Sequence, residues 1–263
     1  MTQAALDDRR LVAVCGKGGT GKTVSIALMA RVLSESAGTG RLLLIDADPA
    51  MGLLSALGVR VERTMGQLRE EIIRTARRGK SEEKAQIADM IDYMSLEALT
   101  ETERFSVIAM GRTETLGCYC PVNTLLRGAI ETLSKSFDTI LIDGEAGLEQ
   151  INRQVVRRLH TLLIISDPTS RGLETAAVIK RMVEDEKLTK CEQLGLVFNR
   201  VRGHEELLRD AAREIGLDVF GMIPLDDEIA AHDLVGRPIW ELPADSPGVA
   251  AFRELVQTRL LAG

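Results

Sequence analysis

Cysteine is scarce in this chain: four in 263 residues, at positions 15, 118, 120 and 191. So few thiols in a chain this long argue against the disulfide framework that staples small secreted domains. Histidine is scarcer still, and His160, His204 and His232 stand far apart, in no metal-ligand spacing. These three are expected to be structural. No apolar run approaches the length of a membrane span, and residues 1–10 are polar, without the apolar core of a signal peptide. The expectation is a cytoplasmic protein with no membrane partner. The net charge of −6 gives no general attraction to nucleic acid. The basic cluster Arg74, Arg77, Arg78 and Lys80 is flanked by Glu70, Glu71, Glu82 and Glu83, the pattern of a solvated helical face. Internal repeats and low-complexity segments are absent.

What is present centres on Gly16-Lys17-Gly18-Gly19-Thr20-Gly21-Lys22-Thr23. The apolar run Leu11-Val12-Ala13-Val14-Cys15 precedes it, and the helix-like Val24-Ser25-Ile26-Ala27-Leu28-Met29-Ala30 follows. Strand, glycine-rich loop and helix together make a phosphate-binding loop of a G-x-x-x-x-G-K-T match. Glycines let backbone N–H groups turn inward around phosphates, and the helix N-terminus adds partial positive charge. In this motif Lys22 reaches the β- and γ-phosphates and the Thr23 hydroxyl is placed to ligate Mg²⁺. The ligand expected is ATP with Mg²⁺.

Further along, strands are expected at 41–46, 106–110, 139–143, 161–166, 194–199 and 219–223, alternating with helices at 121–135, 173–186 and 205–215. Residues 60–104 are charged and helix-periodic, with no strand pattern, so an insertion of helices is expected there. The segment 249–261 has an amphipathic helical period. The sum is a single α/β domain over residues 1–263, its mostly parallel sheet of about seven to eight strands covered on both faces. Such sheets bind ligands at the carboxyl ends of their strands, where Asp46 and Asp143 fall. Asp143 ends Ile140-Leu141-Ile142-Asp143 and is the natural acid to hold Mg²⁺, directly or through water.

The second loop lysine, Lys17, makes the motif resemble the deviant Walker A group of the MinD, ParA and nitrogenase iron-protein class. The resemblance implies a homodimer closing face to face around two ATP molecules, with Lys17 reaching the partner's nucleotide. It also matches Asp46-Ala47-Asp48-Pro49 and Asp143-Gly144-Glu145-Ala146-Gly147 to the two switch segments of that class. Asp48 is then implied to activate the attacking water, Asp46 to sit in the outer shell of Mg²⁺, and Gly147 to donate its N–H to the γ-phosphate. The alternative for Asp48 is a turn acid before Pro49. Asn199 ends a strand where the class places an adenine-binding Asn, and an amide suits the donor and acceptor of adenine. A strand-terminal turn is the alternative.

Gly117-Cys118-Tyr119-Cys120-Pro121 is the other stretch with chemistry in it. Cysteines one residue apart are poorly placed to pair with each other, yet two thiolates can hold one soft metal ion. Across a symmetric dimer the pair repeats, supplying four sulfur ligands to one shared ion. Two buried structural cysteines are the plain alternative. Met110-Gly111-Arg112, the Cys118/Cys120 pair and Asp143-Gly144-Glu145-Ala146-Gly147 resemble the CooC family, as do Phe198-Asn199-Arg200-Val201, Ile223-Pro224-Leu225-Asp226 and Gly236-Arg237-Pro238-Ile239-Trp240. Those ATPases deliver nickel to carbon monoxide dehydrogenase, and close relatives serve acetyl-CoA synthase. The likeness spans nearly everything except 60–104, and Thr20 departs from the Val of many relatives. It implies Ni²⁺ (or Zn²⁺) on Cys118 and Cys120 at the dimer interface and a nickel enzyme as client. Cys15, within a strand, and Cys191, in a polar linker, are expected to be structural. Two other readings stay open: an iron-protein-like redox component with a bridging [4Fe–4S] cluster, and a positioning ATPase of the MinD or ParA kind.

Overall fold

The computed structural model describes residues 9–78, 96–112, 128, 130–144, 158–185 and 190–261. Gly147, Cys118 and Cys120 lie outside the described residues. The strands are β1 (Arg10–Cys15), β2 (Leu42–Asp46), β3 (Leu99–Glu101), β4 (Ser106–Ala109), β5 (Thr139–Asp143), β6 (Arg158–Ser166), β7 (Lys190–Val201) and β8 (Asp218–Pro224). They form one sheet in the order β3-β4-β2-β5-β1-β6-β7-β8. Every neighbouring pair is parallel except β3 with β4.

The strands are apolar almost throughout because the sheet is buried on both faces. Alternate residues go to opposite sides. Leu11, Ala13 and Cys15 of β1 join one core with Leu43, Ile45, Ile140, Ile142 and Leu162. Val12 and Val14 join the other with Leu42, Leu44, Leu141 and Leu163. The first core is covered by α3 (Met65–Arg78), α4 (Ser170–Asp185) and α5 (Glu205–Glu214), through Met65, Leu68, Ala176, Ile179, Leu208 and Ala212. The second is covered by α1 (Lys22–Glu35) and α2 (Gly52–Leu57), which come before α3, and by the tail helix beyond α6 (Asp227–Val235), α7 (Pro247–Leu255). Val249, Phe252, Leu255, Val256 and Leu260 put the apolar side of the tail into this core. Among the described residues no helix is long and apolar enough to cross a membrane.

Several expectations change in detail. Within 60–104 the described residues form α3, whose apolar side is part of the first core, and the helices expected over 79–95 lie outside the described residues. Leu99–Glu101 is a strand, and at three residues on an edge it is too short to show a period of two. Cys191 belongs to β7, which begins at Lys190, four residues before the apolar run that marks it in the sequence. Cys191 is half-buried and Cys15 fully buried, and burial pushes the Cys15 thiol up to about 12. That is an inert structural thiol. His160 accepts from the Leu11 backbone N–H through Nδ1 at 3.1 Å, a structural role.

Candidate nucleotide-binding site

The order β5-β1-β6 places the loop after β1 at the centre of the carboxyl edge. Gly16 leaves β1 at φ 143°, and a Cβ there would lie 2.2 Å from the Ile165 carbonyl oxygen of β6, so only glycine fits. Gly21 caps α1 at φ 88°, where a Cβ would meet Asn199 Nδ2 at 2.4 Å. No side chain caps the N-terminus of α1, and its first turn holds no acid. By contrast α6 and α7 are capped by Asp226 and Ser246. The first turn of α1 therefore keeps its N–H donors and positive end for an external anion. Lys22 Nζ donates to the Lys17 carbonyl at 3.2 Å, which folds the ammonium back over the loop. Thr20 Oγ1 donates to the same oxygen at 2.9 Å.

Two acids converge on this loop from neighbouring strands. Asp46 and Asp143 are register partners across β2 and β5, and both are buried. Asp46 accepts from Asp48 N at 3.1 Å and Leu53 N at 3.2 Å. Burial, and then the Asp143 charge, push its carboxyl up to about 7. Burial raises Asp143 to about 6, opposed by the Thr23 hydroxyl and Lys22. Asp143 Oδ2 is buried with no hydrogen-bond partner among the described residues. Asp143 beside the Thr23 hydroxyl, with one oxygen orphaned and Asp46 its register neighbour, fits a hydrated Mg²⁺, whose charge would restore both carboxyls to the ionised form. Asp48 accepts from Ala50 N at 2.8 Å in a turn, and it also lines the cavity over the loop. The turn and the open cavity are compatible, because the turn uses one carboxylate oxygen.

That cavity, about 580 Å³, is bounded by Gly18, Lys22, Thr23, Asp48, Arg200 and Arg237 among others. A second, about 250 Å³, adjoins it and is more apolar, with Leu28, Leu225, Ile229 and Leu234 beside Asn199. Phosphates suit the first and a nucleobase the second. Asn199 Nδ2 donates to the Thr20 carbonyl at 2.8 Å, and its Oδ1 accepts from Arg200 N at 3.0 Å. One N–H and one lone pair of the amide are left over for a base.

Two residues here carry no site role in the sequence reading, although Arg200 stands in a stretch that resembles the CooC family. Asp167 holds Lys17 Nζ at 3.7 Å. It directly follows β6 and so lies at a strand's carboxyl end, the signal that marked the other acids. Arg200, at φ 61°, lines both cavities and donates to the Gly19 carbonyl at 3.1 Å. No residue-type signal distinguishes it.

Comparison with known proteins also points to a nucleotide-binding domain. The family model of the CobQ/CobB/MinD/ParA nucleotide binding domain matches residues 11–239. The chain is 37% identical over 248 residues to an uncharacterized ATP-binding protein of Methanocaldococcus jannaschii, covering 94% of this chain and 97% of that one. It is 31% identical over 241 residues to the carbon monoxide dehydrogenase accessory protein CooC of Rhodospirillum rubrum, covering 88% and 89%. The structure of MinD complexed with Mg-ADP from Pyrococcus horikoshii superposes with a TM-score of 0.66 at 24% identity, covering 97% and 98%, a likeness of fold.

Proposed function

The chain belongs to the CobQ/CobB/MinD/ParA nucleotide-binding family, and from that premise we propose that it is an ATP-dependent metallochaperone whose cargo is nickel or another thiophilic ion, carried between two copies. The observation that carries the reading is where β4 ends. Met110 N donates to the Asp46 carbonyl at 2.8 Å, and the Met110 carbonyl accepts from Gly66 N at 2.7 Å. The chain therefore leaves β4 through Gly111 and Arg112 beside Asp46, on the nucleotide edge of the sheet. Cys118 and Cys120, outside the described residues, follow six and eight residues beyond Arg112 in the sequence, and a metal site on them would be suited to respond to ATP. The likeness to the CooC accessory protein, whose name ties it to carbon monoxide dehydrogenase, supports that enzyme or a related nickel enzyme as client.

In this mechanism the loop amides of 16–23 and Lys22 hold the phosphates. Thr23 and Asp143 would hold Mg²⁺, with Asp46 behind them, and the ion supplies charge neutralisation of the triphosphate. Asp48 orients the water that attacks the γ-phosphorus, while the bond to the β-phosphate oxygen breaks and Lys22 stabilises the charge left on ADP. Gly147 N–H is assigned to the γ-phosphate. Lys17 exchanges Asp167 for the partner's nucleotide as the dimer closes. Cys118 and Cys120 of both copies then give a four-thiolate site for the cargo. Coupling requires only that the ATP-bound state favours this closed, metal-competent arrangement.

Metal content and oligomeric mass, with and without a non-hydrolysable ATP analogue, test this. Expected is one nickel or zinc per dimer, lost in Cys118→Ala/Cys120→Ala while ATP binding survives. Metal-free protein, or iron with sulfide, would overturn the reading, the latter in favour of a redox component. Equal metal affinity in every nucleotide state would remove the coupling.

A further inference from the structure

We infer that Asn199 and Arg200 form a two-point brace that presets the phosphate loop before nucleotide arrives, and that Arg200 is a positioning residue of the ATP site. The register of β7 against β8 shifts between Phe198 and Val201, and the two residues inside that irregularity are Asn199 and Arg200. Such bulges re-aim side chains beside active sites. Here Asn199 takes the Thr20 carbonyl and Arg200 the Gly19 carbonyl, so two successive loop carbonyls are drawn toward β7. In a planar trans peptide the carbonyl and the following N–H point opposite ways. Holding these two carbonyls outward turns the N–H groups of Thr20 and Gly21 toward the loop interior. There Thr20 N–H has only a long contact, 3.4 Å, to the Lys17 carbonyl. The close approach of Asn199 to Gly21 is possible only because Gly21 has no Cβ.

The backbone of Arg200 argues that this arrangement is selected rather than incidental. Only Met51, Arg200 and His204 among the described non-glycine residues have positive φ. A long side chain is disfavoured there, and glycine or asparagine would relieve the strain. The site keeps an arginine that lines both the phosphate and the base cavity and whose guanidinium donates to the Gly19 carbonyl. An arginine needed only for solubility has no reason to occupy that conformation.

The brace rests on the nucleotide site alone and is independent of the metal. ADP affinity by calorimetry and thermal stability without nucleotide test it in Arg200→Gly, Arg200→Ala and Arg200→Lys. Arg200→Gly removes the guanidinium and relaxes the backbone at once. Expected is unchanged or higher nucleotide-free stability with ADP binding about tenfold weaker, and Arg200→Lys recovering part of the loss. Wild-type affinity in Arg200→Gly would overturn the inference, whether or not Arg200→Ala is weakened. So would a fall in nucleotide-free stability that tracks the loss of affinity across the three variants, since the role would then be structural. Wild-type ADP binding itself reports on the nucleotide site, and the ratio of variant to wild type reports on the brace.

Discussion

Asp143 Oδ2 is a buried acceptor that the described residues leave unsatisfied, beside a second buried carboxyl on Asp46. In the unfolded chain both ionise near 3.8, whereas in the fold burial moves them to about 6 and about 7. Between those limits the native state binds more protons than the unfolded one, so the contribution of these two carboxyls to stability without nucleotide is full below about 3.8 and is lost as pH rises through 6 and 7. Melting temperature against pH should show this decline, with Mg-ADP abolishing it and Asp143→Asn reducing it. Asn at 143 should also weaken Mg-dependent nucleotide binding at least tenfold, as expected when a metal-site carboxylate is lost. Asp226 titrates in the opposite sense. Burial raises it, but hydrogen bonds from Ser246 Oγ and from the N–H groups of Gly248, Ile229 and Glu228 outweigh burial and hold it below the usual carboxylate range. Its contribution is present above the unfolded pKa and is lost as pH falls through the lower, folded one. Asp226→Ala should cost about 1–2 kcal/mol at neutral pH, read from denaturant unfolding, and a smaller amount under strongly acidic conditions.

At the scale of elements, α1 and the 3₁₀ turn ahead of α7 are tied together by one buried cation. Arg31 on α1 donates from Nη1 to the Ile239 and Leu242 carbonyls at 3.1 and 2.9 Å, and from Nε to Glu35 at 3.2 Å. Arg31→Ala would strand two carbonyls beneath the 3₁₀ turn Ile239–Glu241. A loss of roughly 2–4 kcal/mol in urea unfolding is expected. The sequence shows most of these elements, because fully buried parallel strands are uninterrupted apolar runs bounded by charge, as Thr139–Asp143 and Leu42–Asp46 are. The short pieces were less visible. Gly52–Leu57 has six residues, too few for a helical period, and begins without a side-chain cap. Asp227–Val235 was missed although Asp226 and Gly236 are ordinary start and stop signals, since its faces alternate polar and apolar weakly. The site divides in the same way. The phosphate loop and the strand-end acids could be found from residue type and spacing, whereas Arg200 depends on a bulge and a positive φ that its residue type does not announce.

Across the whole molecule, the proposed closure of two copies on ATP requires Lys17 to leave its present partner at the carboxyl edge of the sheet. Lys17 is engaged within its own chain, by Asp167, and both side chains are partly exposed at 40% and 29%. A pair so solvated contributes little to folding, so Asp167→Asn should leave stability within about 0.5 kcal/mol. It should nonetheless free Lys17, so that sedimentation velocity finds the ATP-bound dimer at lower protein concentration. An unchanged dimerisation midpoint would dissociate Lys17 from assembly. The chain also carries its own optical gauge, at the amino end of β4 and reached from the carboxyl edge through α2. The one tryptophan of the chain, Trp240, donates from Nε1 to the Leu57 carbonyl at the end of α2 and stacks on Phe105, with ring centroids 5.4 Å apart. Since α2 starts six residues beyond Asp46, a movement of the Asp46–Asp48 turn that carries α2 with it would reach an indole whose emission depends on its hydrogen bond and its aromatic neighbour. ATP turnover should therefore be visible as a change in intrinsic fluorescence without a label, and a stopped-flow trace would time the opening and closing of the site.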